Sequence, residues 1–513
     1  MTGRESPGPG APGPEPMPFA DLAETHSAVV YFAGDRAYKL KKPIRTGFLD
    51  FSTVALRAAA CRRETDLNRR FAPDVYLGVA EVRGPDGQVS DHLVVMRRMP
   101  PETRLATLIG VGRGVDEPVR QVARILAAQH AAAPRDARIS EQGGRDATWH
   151  RWSDNLEQTR ELAGGILDGA SVDEVERLTR RFLDGRDPLF AARVGAGRIV
   201  DGHGDLQAGD IFCLPDGPRV LDCLEFDDLL RWVDGLDDAA FLAMDLDRLG
   251  AADLAERFIG WYGEYSGDHA PASLRHHFVA YRAFVRAKVS CLRAGQGDPS
   301  AAAGARELTE ITLRHLRAGA VTLVLAGGLP GTGKSTLAGA LADRLGWTVL
   351  SSDRVRKELA GIAPETSARA GYGTGLYTPE WTERTYAELR DRAARLLGLG
   401  ESVILDATWS SAAQREAAAT LADQVSADLV GLACTAPPEI TARRMADRTG
   451  GASDADAAIA AELAATADPW PQATAIDTGA DGIDAALAAA LDVVRPHGPG
   501  HVWHPARPYM LPD

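Results

Sequence analysis

Lysine is scarce in this chain: of 513 residues only six are Lys (Lys39, Lys41, Lys42, Lys288, Lys334 and Lys357), although Lys and Arg together number 57. Arginine cannot imitate a compact ammonium, so each retained lysine carries information. Cysteine is scarce too. The five residues Cys61, Cys213, Cys223, Cys291 and Cys434 form no C-x-x-C pair, which excludes a sequence-encoded disulfide framework or zinc cage. No run of 18 or more apolar residues occurs, and no charged-then-apolar start resembles a signal peptide. A cytoplasmic protein with no membrane contact is therefore expected. Excess positive charge is also missing. A formal charge of −14 and a pI near 5.4 argue against generic nucleic-acid binding, because nothing would offset phosphate repulsion.

What is present centres on residues 321–336, VTLVLAGGLPGTGKST. The β-branched apolar run from Val321 to Leu325 has the composition of a buried parallel strand. It leads into Gly328-Leu329-Pro330-Gly331-Thr332-Gly333-Lys334-Ser335, which fits G-x-x-x-x-G-K-[ST] at every required position, and an apolar-periodic helix follows. Glycines let the backbone fold into a nest whose N–H groups converge on one anion, and the helix adds its positive end. Such a loop implies a nucleotide site. Lys334 would reach the β- and γ-phosphates of ATP, Ser335 would hold Mg²⁺, and Thr336 would touch the α-phosphate.

Length and composition divide the rest. Residues 1–17 are rich in Pro, Gly and Glu and read as a disordered tail. A first domain is expected over 18–300, a linker over 301–319, a second domain over 320–495 and a tail over 496–513. Two apolar runs around Ala33-Gly34-Asp35-Arg36 give a hairpin, whose second strand carries Lys39 and Lys41 on one face. A helix holding Glu64, two more strands and a helical region follow. Near its end lies Asp201-Gly-His-Gly-Asp205-Leu-Gln-Ala-Gly-Asp210, with Asp222 closing a short strand twelve residues later. From 321 onward strands and helices alternate, which implies a parallel sheet covered on both faces.

A strand lysine, a helical glutamate, H-G-D, a carboxylate five residues on and a further aspartate together resemble the aminoglycoside phosphotransferase-like branch of the protein-kinase fold. The resemblance implies that Asp205 accepts a substrate hydroxyl proton, that Asp210 and Asp222 bind Mg²⁺, and that Lys39, held by Glu64, pairs the nucleotide phosphates. Two departures stand out: Asp210 where that branch has Asn, and Gln207 where it often has His. In the second half, Ser351-Ser352-Asp353-Arg354-Val355-Arg356 is similar to P-loop kinases of the polynucleotide-kinase, gluconate-kinase and zeta-toxin group. By that resemblance Asp353 is the base for an acceptor hydroxyl, Arg356 contacts the acceptor, Asp406 lies near the Mg²⁺ water shell, and Arg448 neutralises transition-state charge from a lid. Leu221-Asp-Cys-Leu-Glu-Phe, Tyr38-Lys-Leu-Lys-Lys-Pro and Tyr281-Arg-Ala-Phe-Val-Arg-Ala-Lys resemble a bacterial family that fuses the two domain types.

The expectation is thus an α+β protein-kinase-like (aminoglycoside phosphotransferase-like) domain followed by an α/β P-loop kinase domain. Its implied activity is ATP- and Mg²⁺-dependent phosphoryl transfer to a hydroxyl of a small polar acceptor. Two alternatives stay open: an ATP-binding regulator whose first half only binds a ligand, and a polynucleotide 5′-kinase. The acidic balance speaks against the latter.

Overall fold

The computed structural model describes residues 18–494 except 26, 46–48, 163, 364–365, 367–373, 448–456 and 480–481. Both tails, most of the glycine-rich stretch 371–375 and Arg448 therefore lie outside the described residues. The chain forms two compact units, one comprising residues 1–132 with 202–231, the other 133–201 with 232–513.

In the first unit the hairpin forms as its sequence requires. Ala28–Ala33 pairs antiparallel with Arg36–Lys41 around Gly34, whose φ of +56° suits a residue without a β-carbon. Five antiparallel strands lie side by side in the order Ala20–Glu24, Ala28–Ala33, Arg36–Lys41, Val89–Arg97, Tyr76–Arg83. Thr53 caps the helix Val54–Asn68, its hydroxyl accepting from the Leu56 amide. Cys61 from that helix joins Ala37, Val94, Tyr76 and Met96 in a common core. The returning segment adds the hairpin Ile211–Leu214 with Gly217–Val220.

The second unit holds a helical part and a parallel sheet. The sheet has Thr322–Gly327 at its centre, Val403–Asp406 and Thr348–Ser351 on one side, and Asp428–Thr435 and Thr474–Asp477 on the other. Every residue of the central strand is buried, which explains its unbroken apolar sequence. The helices Lys334–Leu345 and Gly482–Val494 bury Leu337, Leu341 and Ala486 against Val324, Ile404 and Leu432. These architectures are an α+β protein-kinase-like fold and an α/β P-loop kinase fold. Between them in sequence runs the helix Ala301–Ala318, helical as expected over 306–316, which buries Ala305, Leu308, Thr309 and Ile311 on one stripe. Among the described residues no helix is long and apolar enough to cross a membrane.

One buried charge in the helical part, Arg193, is fully paired. Arg193 forks to Asp234 through Nε (2.7 Å) and Nη2 (2.6 Å) and reaches Asp268 Oδ2 at 2.7 Å, with all three side chains buried. Replacing Arg193 by leucine leaves two buried carboxylates without a counter-charge. The expected cost is about 3–5 kcal/mol, seen as a lowered thermal midpoint, and Arg193→Lys recovers only part of it because an ammonium cannot fork.

Candidate functional site

The glycine-rich loop runs from the end of the central strand into Lys334–Leu345 with Gly328, Gly331 and Gly333 at φ +144°, +83° and +81°. A β-carbon on Gly328 would lie 2.6 Å from Thr332 Oγ1 and 2.7 Å from the Cys434 carbonyl oxygen; one on Gly331 would lie 2.9 Å from that of Thr441. Backbone conformation and crowding thus both demand glycine. Leu329 and Pro330 span the loop between them, and Thr332 Oγ1 donates to the Leu329 carbonyl at 2.8 Å.

Strand register brings the other candidates to the same sheet edge. Asp406 is paired with Ala326 on one neighbour and Ser351 on the other. Asp353 then falls in the first turn of Ser352–Leu359, whose N-cap is Ser351, so Asp353 is not the cap. This edge, beyond the carboxyl ends of the strands, is where open α/β sheets take ligands. Asp406 is buried, and its Oδ1 has no hydrogen-bond partner. Burial, with some repulsion from Asp353, pushes its pKa up, while the Lys334 ammonium and the Ser335 and Ser351 hydroxyls pull the other way. An unpartnered buried carboxylate oxygen beside Lys334 and Ser335 fits a Mg²⁺–triphosphate, whose cation keeps several waters and takes one or two protein ligands. Accordingly, no three-ligand protein cage for a metal occurs among the described residues. Arg356 is buried; Nη1 donates to the Leu376 carbonyl at 2.8 Å, its guanidinium stacks 4.9 Å from the Tyr377 ring, and Nε has no partner.

Arg444 and Thr478 brace the loop. Arg444, on Pro438–Ala446, donates to the Thr478 carbonyl at 2.7 Å and lies 3.5 Å from that of Gly331. The Thr478 hydroxyl reaches the carbonyls of Thr332 and Thr435. Thr478 carries no sequence signal beyond its place after a strand.

In the first unit Glu64 is fully buried beneath two lysines. Lys41 Nζ donates to Glu64 Oε2 at 2.7 Å and to Glu225 Oε1 at 2.5 Å. Lys39 Nζ lies 2.9 Å from Glu64 Oε1, outside hydrogen-bond geometry, and donates to Asp222 Oδ1 at 2.8 Å. Burial opposes ionisation of Glu64, but the two ammoniums outweigh it and hold its pKa below the usual carboxylate value. Lys41, at 2% exposure, is sealed from water; Lys39, at 16%, keeps some access to it. Glu225, unforeseen from sequence, is what occupies Lys41. Lys39 holds the Asp222 carboxyl below its usual range. Protein atoms crowd that carboxylate, yet half its surface stays open to water, so screening tempers the pair. Asp222 has φ +67°, rare for a residue with a side chain, and its amide donates to Tyr76 Oη at 3.2 Å. Gln207 Nε2 donates to Asp205 Oδ1 at 2.8 Å. Burial, then the charges of Asp222 and Asp205, push the half-buried Asp210 up to about 8.

A family model described as an AAA domain matches residues 323–469. The uncharacterized proteins Rv2004c of Mycobacterium tuberculosis and Mb2027c of Mycobacterium bovis are each 45% identical to this chain over 461 residues, covering 90% of it and 93% of the relative. The chain belongs to their family. It is the bacterial family that fuses an aminoglycoside phosphotransferase-like domain to a P-loop kinase domain. Among solved structures, a choline/ethanolamine kinase family protein from Mesorhizobium loti is 14% identical, covering 59% of this chain and 93% of that one at a TM-score of 0.35. A sugar kinase from a Janibacter species is 21% identical, covering 34% and 94% at 0.25.

Two outcomes follow for the first unit of this fusion protein. Glu64→Gln removes the buried carboxylate that two lysines share, leaving Lys41 with Glu225 and Lys39 with Asp222, so a cost of up to about 3–5 kcal/mol should appear as a lower unfolding midpoint. For Asp210, the folded pKa stands above the ordinary 3.8, so its contribution to stability is present below pH about 4 and is lost as pH rises through about 8. Thermal melts of Asp210→Asn should therefore match wild type at pH 4 and exceed it at pH 8.5.

Proposed function

We propose that this protein is a cytoplasmic, Mg²⁺-dependent phosphotransferase that uses ATP to phosphorylate a hydroxyl of a small polar acceptor, with a nucleotide site in each half (18–300 and 320–495). The observation that carries the reading is the glycine loop whose neighbours leave no room for β-carbons, beside a buried, unpartnered Asp406 oxygen. The amides of 328–333 and the Lys334 ammonium would hold the triphosphate, while Ser335 and Asp406 would face its cation. Bound there, Mg²⁺–ATP supplies the transferable phosphoryl group and the charge neutralisation that its departure requires. Asp353, free of any capping duty, is the group to accept the acceptor's hydroxyl proton as that oxygen attacks phosphorus and ADP leaves. Arg356 keeps Nε for an anionic or hydroxylated acceptor. Arg448 is retained as the candidate for lid-borne charge neutralisation.

In the first half Asp205 takes the corresponding role, with Lys39 directed to phosphates and Asp210 and Asp222 to the cation. A second reading, in which this half only binds a ligand, is favoured by the Asp210 carboxyl that holds its proton to about pH 8. Incubating a metabolite pool with ATP and wild type, Lys334→Ala or Asp205→Asn decides between them. Lys334→Ala should lower products of the second half by at least about a hundredfold. Asp205→Asn should do likewise for the first half if it is an enzyme, and leave ligand affinity intact if it is a binder. Product profiles identical across all three proteins would sink the catalytic reading.

A further inference from the structure

The second unit contains a cavity of about 660 Å³ that has no part in the chemistry above. Its wall includes Val321 and Thr322, where the central strand begins, and Asp428, where the next strand begins. The nucleotide loop leaves the opposite end of that strand, about 20 Å away at a rise of about 3.3 Å per residue.

Five arginines line the cavity: Arg177, Arg181, Arg186, Arg314 and Arg317. Three carboxylates, Glu174, Glu310 and Asp428, stand against them, so the wall is net cationic in a chain of charge −14. Most of this charge is engaged. Arg177 Nε lies 2.7 Å from Glu174, Arg181 Nε bonds Asp428 at 2.9 Å, and Arg314 pairs with Asp247. Arg186 differs. It is fully buried, its Nη1 donates to the carbonyls of Gly185 (2.8 Å) and Val425 (2.7 Å), and its Nε and Nη2 have no partner. Those two N–H groups form one edge of the guanidinium, the edge that grips a carboxylate or phosphate with two parallel hydrogen bonds. A buried, half-satisfied guanidinium is costly unless something completes it. Burial and the neighbouring Arg181 charge lower the Arg186 pKa to about 10, so the position favours a counter-anion. The remaining wall is mostly apolar, with Phe182, Leu313 and Val430 beside Thr322 and Ser426, and the Phe182 ring lies 5.7 Å from the Arg186 guanidinium carbon.

We propose that this cavity binds a small metabolite with an oxyanion head, phosphate or carboxylate, on an apolar body, the head resting on the unpaired edge of Arg186. Such a site lies where helices Gly169–Asp184 and Ala301–Ala318 meet the start of the parallel sheet, and it is separate from the nucleotide loop.

The test uses the full chain and the fluorescent dye 8-anilinonaphthalene-1-sulfonate, an aromatic body with one anionic head, displaced by phenyl phosphate, phenol or inorganic phosphate. Phenyl phosphate is expected to displace the dye at a lower concentration than either fragment. Arg186→Met should weaken that displacement by at least about tenfold, and Lys334→Ala should leave it unchanged. A thermal melt checks that Arg186→Met folds; should it not, Arg317→Gln, at a partly exposed arginine of the same wall, is expected to weaken displacement severalfold. Equal displacement in wild type and the arginine variants overturns the proposal. So does its loss in Lys334→Ala, or phenol performing as well as phenyl phosphate.

Discussion

Close approach of backbone to backbone is the constraint on which the second unit's site depends. Gly328 and Gly331 run so near Cys434 and Thr441 that a single methyl group at either would collide. The tightness comes from the sheet: the chain must leave Gly327 and enter a helix at Lys334 within six residues. The same register places Asp406 beside Ala326 and Ser351, so carboxylate, lysine and hydroxyl converge without a dedicated scaffold. Arg444 and Thr478 then fix the loop from behind by its own carbonyls. A concavity made of amides has no side chain to hold its shape, and these braces supply the missing rigidity.

The first unit meets a different problem, that of a charge without water. Glu64 has no exposed surface, and one ammonium would leave one oxygen poorly served. Lys41 and Glu225 complete a buried chain of alternating charge, and Lys39 remains at its open end. The helix Val54–Asn68 is thereby tied to the strand Arg36–Lys41, and Asn68 extends the tie by accepting from the Cys223 amide at 2.8 Å.

Much of this was legible in the residues. Buried parallel strands such as Thr322–Gly327 read as apolar runs because both faces are covered, and the helices between them follow in order. The misses have physical causes. Ala20–Glu24 is an edge strand exposed at every residue, so it lacks an apolar face. Asp187–Gly195 opens on Asp-Pro, which reads as a turn although proline suits a first helical position. In the site, Lys39 and Lys41 share a strand face, so alternation could not separate them. Their burial does, and that is set by Glu225 from a loop far along the chain. Pairings between distant loops leave no periodic trace.

The ion pair between Lys39 and Asp222 has a thermodynamic consequence for whatever approaches it. A bare anion drawn to the ammonium would strand the carboxylate, and a bare cation drawn to the carboxylate would strand the ammonium. A chelate that carries both signs would replace each lost partner. Charge composition therefore bears, beside shape, on what can settle next to that pair.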